Sequence, residues 1–312
     1  MRPGRHRTTP VPRSHQDLVL LAVLEIAGAD PVRKRYAAAR LVSSPWQTDP
    51  VDEVVLPGGV ANAGAVVRIG PHVLRPSNPH SESIHRFLSA LRAVGFDGAP
   101  VPVGIDPDGR ERLEFIEGDV AVPPFPAWVQ LDSALASVAV LMRKFHDASL
   151  PFDQTGSTWS TEMADPRGGP VICHNDVCLE NVVFRQGEAV GLLDFDFAAP
   201  GRPPGDLAHF ARMCVPVDDD VTASQLGWAD ADRPARLRLV ADAYGLDGAG
   251  RRAMVDVLGA TIAHGGAFVR RRVEAGDVNF IKMWNEMGGA ERFERRRRWW
   301  VRHREEFVAA LA

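Results

Sequence analysis

No stretch of the 312 residues approaches the roughly 20 consecutive apolar residues that a membrane-spanning helix needs, so no membrane partner is expected. Cysteine is scarce as well. Cys173, Cys178 and Cys214 form an odd set without metal-ligand spacing, which reads as reduced thiols in a cytoplasmic protein. An excess of positive charge is also missing: 36 Lys and Arg against 40 Asp and Glu leave a net charge of −4, which argues against a dedicated nucleic-acid binder. Repeats and long low-complexity segments are absent too. With 45% apolar and 24% charged residues, what remains is an ordinary globular chain, long enough for one large domain or two lobes.

The start of the chain poses a targeting question. Arg2, Arg5, Arg7 and Arg13 precede an apolar run from Leu18 to Leu24, and Ala27-Gly28-Ala29 mimics a signal-peptidase site. Asp17 and Glu25 bracket that run, however, and Ser14 with Asp17 resembles a capping box opening an amphipathic helix. Residues 1–50 therefore read as a disordered, Arg- and Pro-rich start followed by helices over 14–29 and 32–42, split at Asp30-Pro31.

From Glu53 the texture changes. Strands are predicted over 53–56, 66–69 and 72–75, and a loop bearing Gly58 and Gly59 joins the first two. Such a loop brings backbone N–H groups close to phosphate oxygens, and Arg75 on the third strand supplies a cation for the same phosphates. A helix over 81–94 buries Ile84, Phe87, Leu88 and Leu91; Glu82 in its first turn is placed either to pair with Arg75 or to face solvent. Strands over 101–105 and 110–116 complete a small β-rich unit, 51–118.

Residues 119–312 read as mainly helical, ending in one helix over 284–311, with one hairpin in their midst. Two apolar runs, Val182–Phe184 and Ala189–Leu193, flank a Gln186-Gly187 turn. His174, Asp176 and Asn181 stand just before the first strand, and Asp194 and Asp196 just after the second. A hairpin brings its ends together, so Asp176, Asn181 and Asp194 should converge. Three oxygen-bearing groups gathered in this way suit a hard cation such as Mg²⁺, with one carboxylate left as a base.

His174-Asn175-Asp176 with Asn181, then Leu193-Asp194-Phe195-Asp196, then Asp206-Leu207-Ala208, resembles the aminoglycoside phosphotransferase family of the protein-kinase-like fold. The family pattern H-x-D-x-x-x-x-N followed by D-x-[DE] is filled throughout. The resemblance implies an α+β fold with two lobes: a small β-rich N-lobe over 51–118 that binds nucleotide, and a larger helical C-lobe over 119–312 that binds the acceptor. The helical extension of 1–50 lies outside it. It further implies Asp176 as the catalytic aspartate and Asn181, Asp194 and Asp196 as Mg²⁺ ligands. His174 and Asp206 become supports of the catalytic loop, and the backbone of Glu114 and Ile116 would meet the adenine edge. Where the family carries Lys on the third strand, Arg75 stands here; its planar fork also suits phosphate.

The expected function is ATP- or GTP-dependent, Mg²⁺-assisted phosphoryl transfer to a hydroxyl of a small molecule, with an aminoglycoside, another antibiotic or a metabolite as acceptor. The alternative is a catalytically silent kinase-like binding or immunity protein. Three other features take structural readings in preference to functional ones. The seven arginines of 292–304 share a helix with Phe293, Trp300 and Phe307 on a buried stripe, in preference to forming an RNA patch. Asp218-Asp219-Asp220 reads as a solvated loop or helix start before a lure for a cationic acceptor, and His264-Gly265-Gly266 as close helix packing.

Overall fold

In the computed structural model, residues 53–56, 60, 62 and 64–312 are described, all within a unit spanning Val51–Ala312. The helices expected at 14–29 and 32–42 lie outside the described residues, as do Gly58 and Gly59.

Five antiparallel strands open the unit: β1 (Glu53–Val55), β2 (Val67–Ile69), β3 (His72–Pro76), β4 (Pro102–Ile105) and β5 (Arg110–Glu114), in the order β1-β2-β3-β5-β4. Val67 pairs with Leu74 on one face and Val73 with Leu113 on the other, so the register sets apolar residues beside one another on both faces of the sheet. Between β3 and β4 runs α1 (Ser81–Ala93). Its spacing places Ile84, Phe87, Leu88 and Leu91 on one buried face. Phe87 is fully buried and meets Phe145 and Phe195 edge to face, tying the sheet unit's helix to the helical unit's core.

The remainder contains α2 (Asp132–Ser149), α3 (Pro203–Cys214), α4 (Asp220–Gln225), α5 (Arg233–Tyr244), α6 (Gly248–Glu274), α7 (Val278–Glu286) and α8 (Gly289–Leu311). Strands β6 (Val171–Cys173), β7 (Val182–Arg185), β8 (Glu188–Leu192) and β9 (Ala199–Gly201) are set among them. Local chemistry sets the helix ends. Asp232, Asp247 and Asp277 cap α5, α6 and α7 by accepting backbone N–H bonds, Pro203 and Pro204 open α3, and Gly245 at φ 83° ends α5.

Two expectations change here. The single terminal helix expected over 284–311 is two helices, because Gly288 and Gly289 adopt φ of 89° and 56° and turn the chain between α7 and α8. The pairing of β6 with β9 was not anticipated either. It brings the two ends of the catalytic segment together. Its close approach needs glycine: a Cβ on Gly169 would fall 1.9 Å from the Gly201 carbonyl oxygen.

Candidate active site

The β7–β8 hairpin gathers the residues around it as its spacing dictates. Leu193 N–H donates to the Asn181 carbonyl at 2.8 Å, so the two ends of the hairpin are locked together. His174 spans the same gap. Its Nε2 donates to the Leu193 carbonyl at 2.8 Å, and its Nδ1 accepts from Asp176 N–H at 3.3 Å. Burial pushes the His174 pKa down, so the ring is a neutral strut.

Behind the loop, Asp206 is fully buried. It accepts from the backbone N–H groups of His174 and Asn175, each at 2.7 Å, and from His146 Nε2 at 2.9 Å. Burial would raise its pKa, but the bonds from His146 and the loop hold it below the usual carboxylate range. His146, Cys173 and Asp206 lie close enough together to hold a metal ion, but hydrogen bonds already engage Asp206, and His146 Nδ1 meets the Tyr244 hydroxyl at 2.8 Å. The trio is a packed brace. Asn175 and Asp194 both take left-handed backbone conformations, φ 64° and 63°, which non-glycine residues rarely adopt outside functional sites.

Asn181 donates from Nδ2 to the Asp176 carbonyl (2.9 Å) and carboxylate (3.3 Å), which aims its amide oxygen away from both. Asp194 gives one oxygen to Arg75 Nη1 at 3.0 Å. No hydrogen bond among the described residues uses the Asn181 amide oxygen or the second Asp194 oxygen. Two such oxygens beside a cavity fit Mg²⁺, which takes one or two protein ligands and fills its octahedron with water and phosphate oxygens. Both oxygens of Asp196 are already engaged. Arg75 Nη2 binds one of its oxygens and Asn78 Nδ2 donates to the other at 2.9 Å. Burial and the Asp194 charge push the Asp196 pKa up against the pull of Arg75.

Arg75, only 7% exposed, sits among Asp194, Asp196 and Glu111. Burial alone would lower its pKa, yet the three carboxylates hold it above the ordinary value. Its carboxylate on the sheet side is Glu111 of β5, 3.6 Å from Nε, and Ser81 Oγ donates to Glu111. Glu82 is exposed, so the pairing that the sequence offered for it gives way to Glu111, its cross-strand neighbour in the β3–β5 register.

Two cavities meet at this place. One, about 350 Å³, is lined by Leu56, Val66, Leu113, Ile116 and Val183 on its apolar sides. The other, about 430 Å³, holds Asp176 and Asp196 with residues of α3, α6, α7 and α8. Glu180, Asn181 and Asp194 line both and form the shared wall. In the first cavity the Glu114 N–H is already bonded to the Val101 carbonyl at 2.8 Å, whereas no hydrogen bond among the described residues engages the Ile116 N–H or carbonyl. In the second, burial first and the Asp194 charge next push the Asp176 carboxyl up to about 8 in the bare protein, against the pull of Arg212. A third cavity, about 310 Å³, lies behind Asn175. It contains His209, which burial pushes down to about 4.

Asn78, Glu111 and Arg212 escaped the sequence reading. None has a periodic signal to follow; Arg212 stands six residues after Asp206 on α3 and so does not share its face. The Asp218–Asp220 run is a helix start, with Asp219 capping α4 and Asp220 exposed in its first turn, but it is not solvated throughout. Asp218 and Asp219 are buried and hold Arg296 and Arg295 of α8, and Asp220 pairs with Arg233 at 2.9 Å. The arginines of α8 are thus divided, some turned inward onto these carboxylates, while Trp300 and Phe307 are buried on the apolar stripe. Gly266 does serve packing: a Cβ there would stand 3.0 Å from the Phe293 ring.

A small antiparallel sheet with one helix, followed by a helical unit with a metal-competent hairpin, defines a bilobal protein-kinase-like fold. Solved structures agree. A choline/ethanolamine kinase family protein from Mesorhizobium loti matches with TM-score 0.56 at 18% identity, over 86% of this chain and 94% of that one. An ADP-bound aminoglycoside phosphotransferase matches with TM-score 0.51 at 14% identity, over 82% and 94%. The family follows from sequence. The profile of the phosphotransferase enzyme family matches residues 157–240, and the trifolitoxin immunity protein of Rhizobium leguminosarum bv. trifolii is 32% identical over 273 residues, 84% of this chain and 99% of that protein. The chain belongs to the phosphotransferase enzyme family. Among the described residues, no helix is long and apolar enough to cross a membrane.

Proposed function

We propose that the protein transfers the γ-phosphoryl group of ATP or GTP to a hydroxyl of a small molecule in the cytoplasm. The observation that carries this reading is the convergence of Asn181 and Asp194 on the wall shared by two cavities, with Asp176 beside them in the second. The base of the nucleotide lies in the apolar cavity against the free backbone of Ile116, with its phosphates directed at the shared wall.

The acceptor hydroxyl lies in the second cavity beside Asp176, which orients it and takes its proton as the oxygen attacks phosphorus. The β–γ P–O bond breaks and the nucleoside diphosphate leaves. Asn181 and Asp194 hold Mg²⁺, which neutralises phosphate charge when bound. Arg75 keeps Asp194 in place and adds positive charge beside the phosphates. His174 and Asp206 hold the loop in shape, and Asp196 acts through Arg75 and Asn78. Positioning and charge neutralisation supply most of the rate.

A second reading has its own support. Arg75 occupies one oxygen of Asp194 and one of Asp196, where phosphotransfer wants a cation free to meet phosphate, and the 32% identical relative is an immunity protein by name. In that reading the chain binds and sequesters a ligand without turnover. A thermal-shift titration with ATP and Mg²⁺ divides the two. Saturable stabilisation, as linkage requires of a ligand that binds the folded state, supports the transferase; no shift at millimolar nucleotide favours the silent protein.

A further inference from the structure

The second cavity is the acceptor side of the proposed reaction, and its charge is unusual. Four guanidinium groups reach it, from Arg212 on α3, Arg272 on α6, and Arg292 and Arg296 on α8. Two are neutralised. Arg272 Nη2 meets Glu162 at 2.8 Å, and Arg296 grips Asp218 with Nε at 2.7 Å and Nη2 beside it. Asp218 is then largely spent, and Arg292 reaches it only at 3.9 Å. Arg212 enters no ion pair among the described residues. Asp219, the next carboxylate along, belongs to Arg295 at 3.1 Å. Arg212 and Arg292 are therefore left without a close carboxylate of their own.

The donors themselves point the same way. Nε of Arg212, of Arg272 and of Arg292 is buried and lacks a hydrogen-bond acceptor. A buried, unpaired charged donor is among the more costly arrangements in a protein interior. Burial first and repulsion from Arg296 next push both Arg212 and Arg292 down to about 10. Asp218 pulls the other way on both, and Asp176 on Arg212, without restoring the ordinary value. The cavity also has an apolar lining, Phe268 and Phe280 at 5.5 Å from each other with Met283 and Phe293, and Arg272 lies over the Phe268 and Phe280 rings at 5.4 and 5.7 Å.

We infer that the acceptor is an amphipathic anion: a small molecule that carries the reacting hydroxyl, an apolar or aromatic body, and a carboxylate or phosphate seated among Arg212, Arg292 and Arg272. This rests on the proposed transfer to the second cavity. Polycations such as aminoglycosides are disfavoured there, because each ammonium group would face the unpaired guanidinium groups. The acidic residues in the cavity do not reverse the balance. Asp176, Glu180, Asp194 and Asp196 line the end where the nucleotide's metal and phosphates belong, and Arg75 answers two of them.

The test varies charge at nearly constant shape. Binding to the full-length protein is measured by calorimetry for 3-(4-hydroxyphenyl)propionate, 4-hydroxyphenethyl alcohol and tyramine, which are anionic, neutral and cationic. Glucose 6-phosphate and glucose form a second set that separates phosphate from carboxylate as the anionic head. In at least one set the anion should bind roughly tenfold tighter than its uncharged or cationic counterparts, about the value of one charge-assisted hydrogen bond. Arg292→Gln should erase that preference, and it leaves Asp218 in the grip of Arg296, so folding is preserved; Arg272→Gln at the cavity's other side should halve it or better. If tyramine or the neutral compounds bind as tightly as the anions, or if neither anion binds, the inference is overturned. Because binding is read without nucleotide, charge selectivity without ADP release would sink only the transferase reading, whereas ADP release with tyramine or kanamycin alone would sink only the anionic acceptor.

Discussion

The two cavities that meet at Asn181 and Asp194 are built in opposite ways. The first draws its lining from β1–β5, the segment after β5 and the β7–β8 hairpin, and it is an apolar slot with one free backbone edge at Ile116. The second draws on side chains from four helices widely spaced in sequence, and it sets unpaired arginine beside phenylalanine and methionine. The contrast separates two kinds of information. What a nucleotide needs is common to a reaction class and comes mostly from backbone and hairpin geometry. What an acceptor needs is particular, and it comes from long side chains brought together by helix packing.

The sharpest way to break this picture is at the wall the cavities share. Asp194→Ala on that wall and Asp176→Ala beside it should each lower phosphoryl transfer by about 10³-fold or more, within the range for a general base, with the circular dichroism spectrum unchanged. Turnover by either variant within tenfold of the parent would remove the hairpin from the chemistry.

A second break lies behind the acceptor wall. Asp218→Ala strips Arg296, 2% exposed, of its bidentate partner. Removing one member of a buried pair costs about 3 kcal/mol or more, so the urea midpoint should fall steeply while nucleotide affinity per folded molecule stays constant. A midpoint within experimental error of the parent would mean that the arginines are not held as described.

The third concerns protons behind the loop. Burial pushes His209 down to about 4, so the unfolded chain, with an ordinary imidazole near 6.5, takes the proton first as pH falls. This group leaves stability intact above about pH 6.5 and costs about 2 kcal/mol at pH 5, with the loss complete near pH 4. His209→Gln should flatten the difference between denaturation curves at pH 7 and pH 5; an undiminished pH dependence would assign the effect elsewhere.

The smallest effect refines the nucleotide side. Glu111→Gln should cost about 1–2 kcal/mol of stability through Arg75, whereas Glu82→Gln on the exposed face should stay within about 0.5 kcal/mol. Equal effects would restore the helix glutamate as the partner.

The same contrast explains how much could be read beforehand. Period-2 apolar runs and the Gln186-Gly187 turn made the hairpin legible, and with it the convergence of Asp176, Asn181 and Asp194, because hairpin geometry alone joins its ends. The sheet and α1 were legible for the same local reasons. Glu111 was not, since its partnership with Arg75 depends on β3 pairing with β5 across 35 residues of chain. The fate of Asp218 and Asp219 was hidden by charge that looks solvated in sequence, and is in fact buried against arginines nearly 80 residues away. Gly288-Gly289, a local signal, was present and passed over within an apparently continuous helical period.

The most direct measurement of the central claim is mass-spectrometric detection of phosphorylated product and ADP in a library of hydroxylated anions, neutral compounds and cations incubated with protein, ATP and Mg²⁺. The account predicts product from at least one anionic acceptor, none from Asp176→Ala, and nucleotide-dependent thermal stabilisation in both proteins. Absence of nucleotide stabilisation, or equal product from Asp176→Ala, would contradict it.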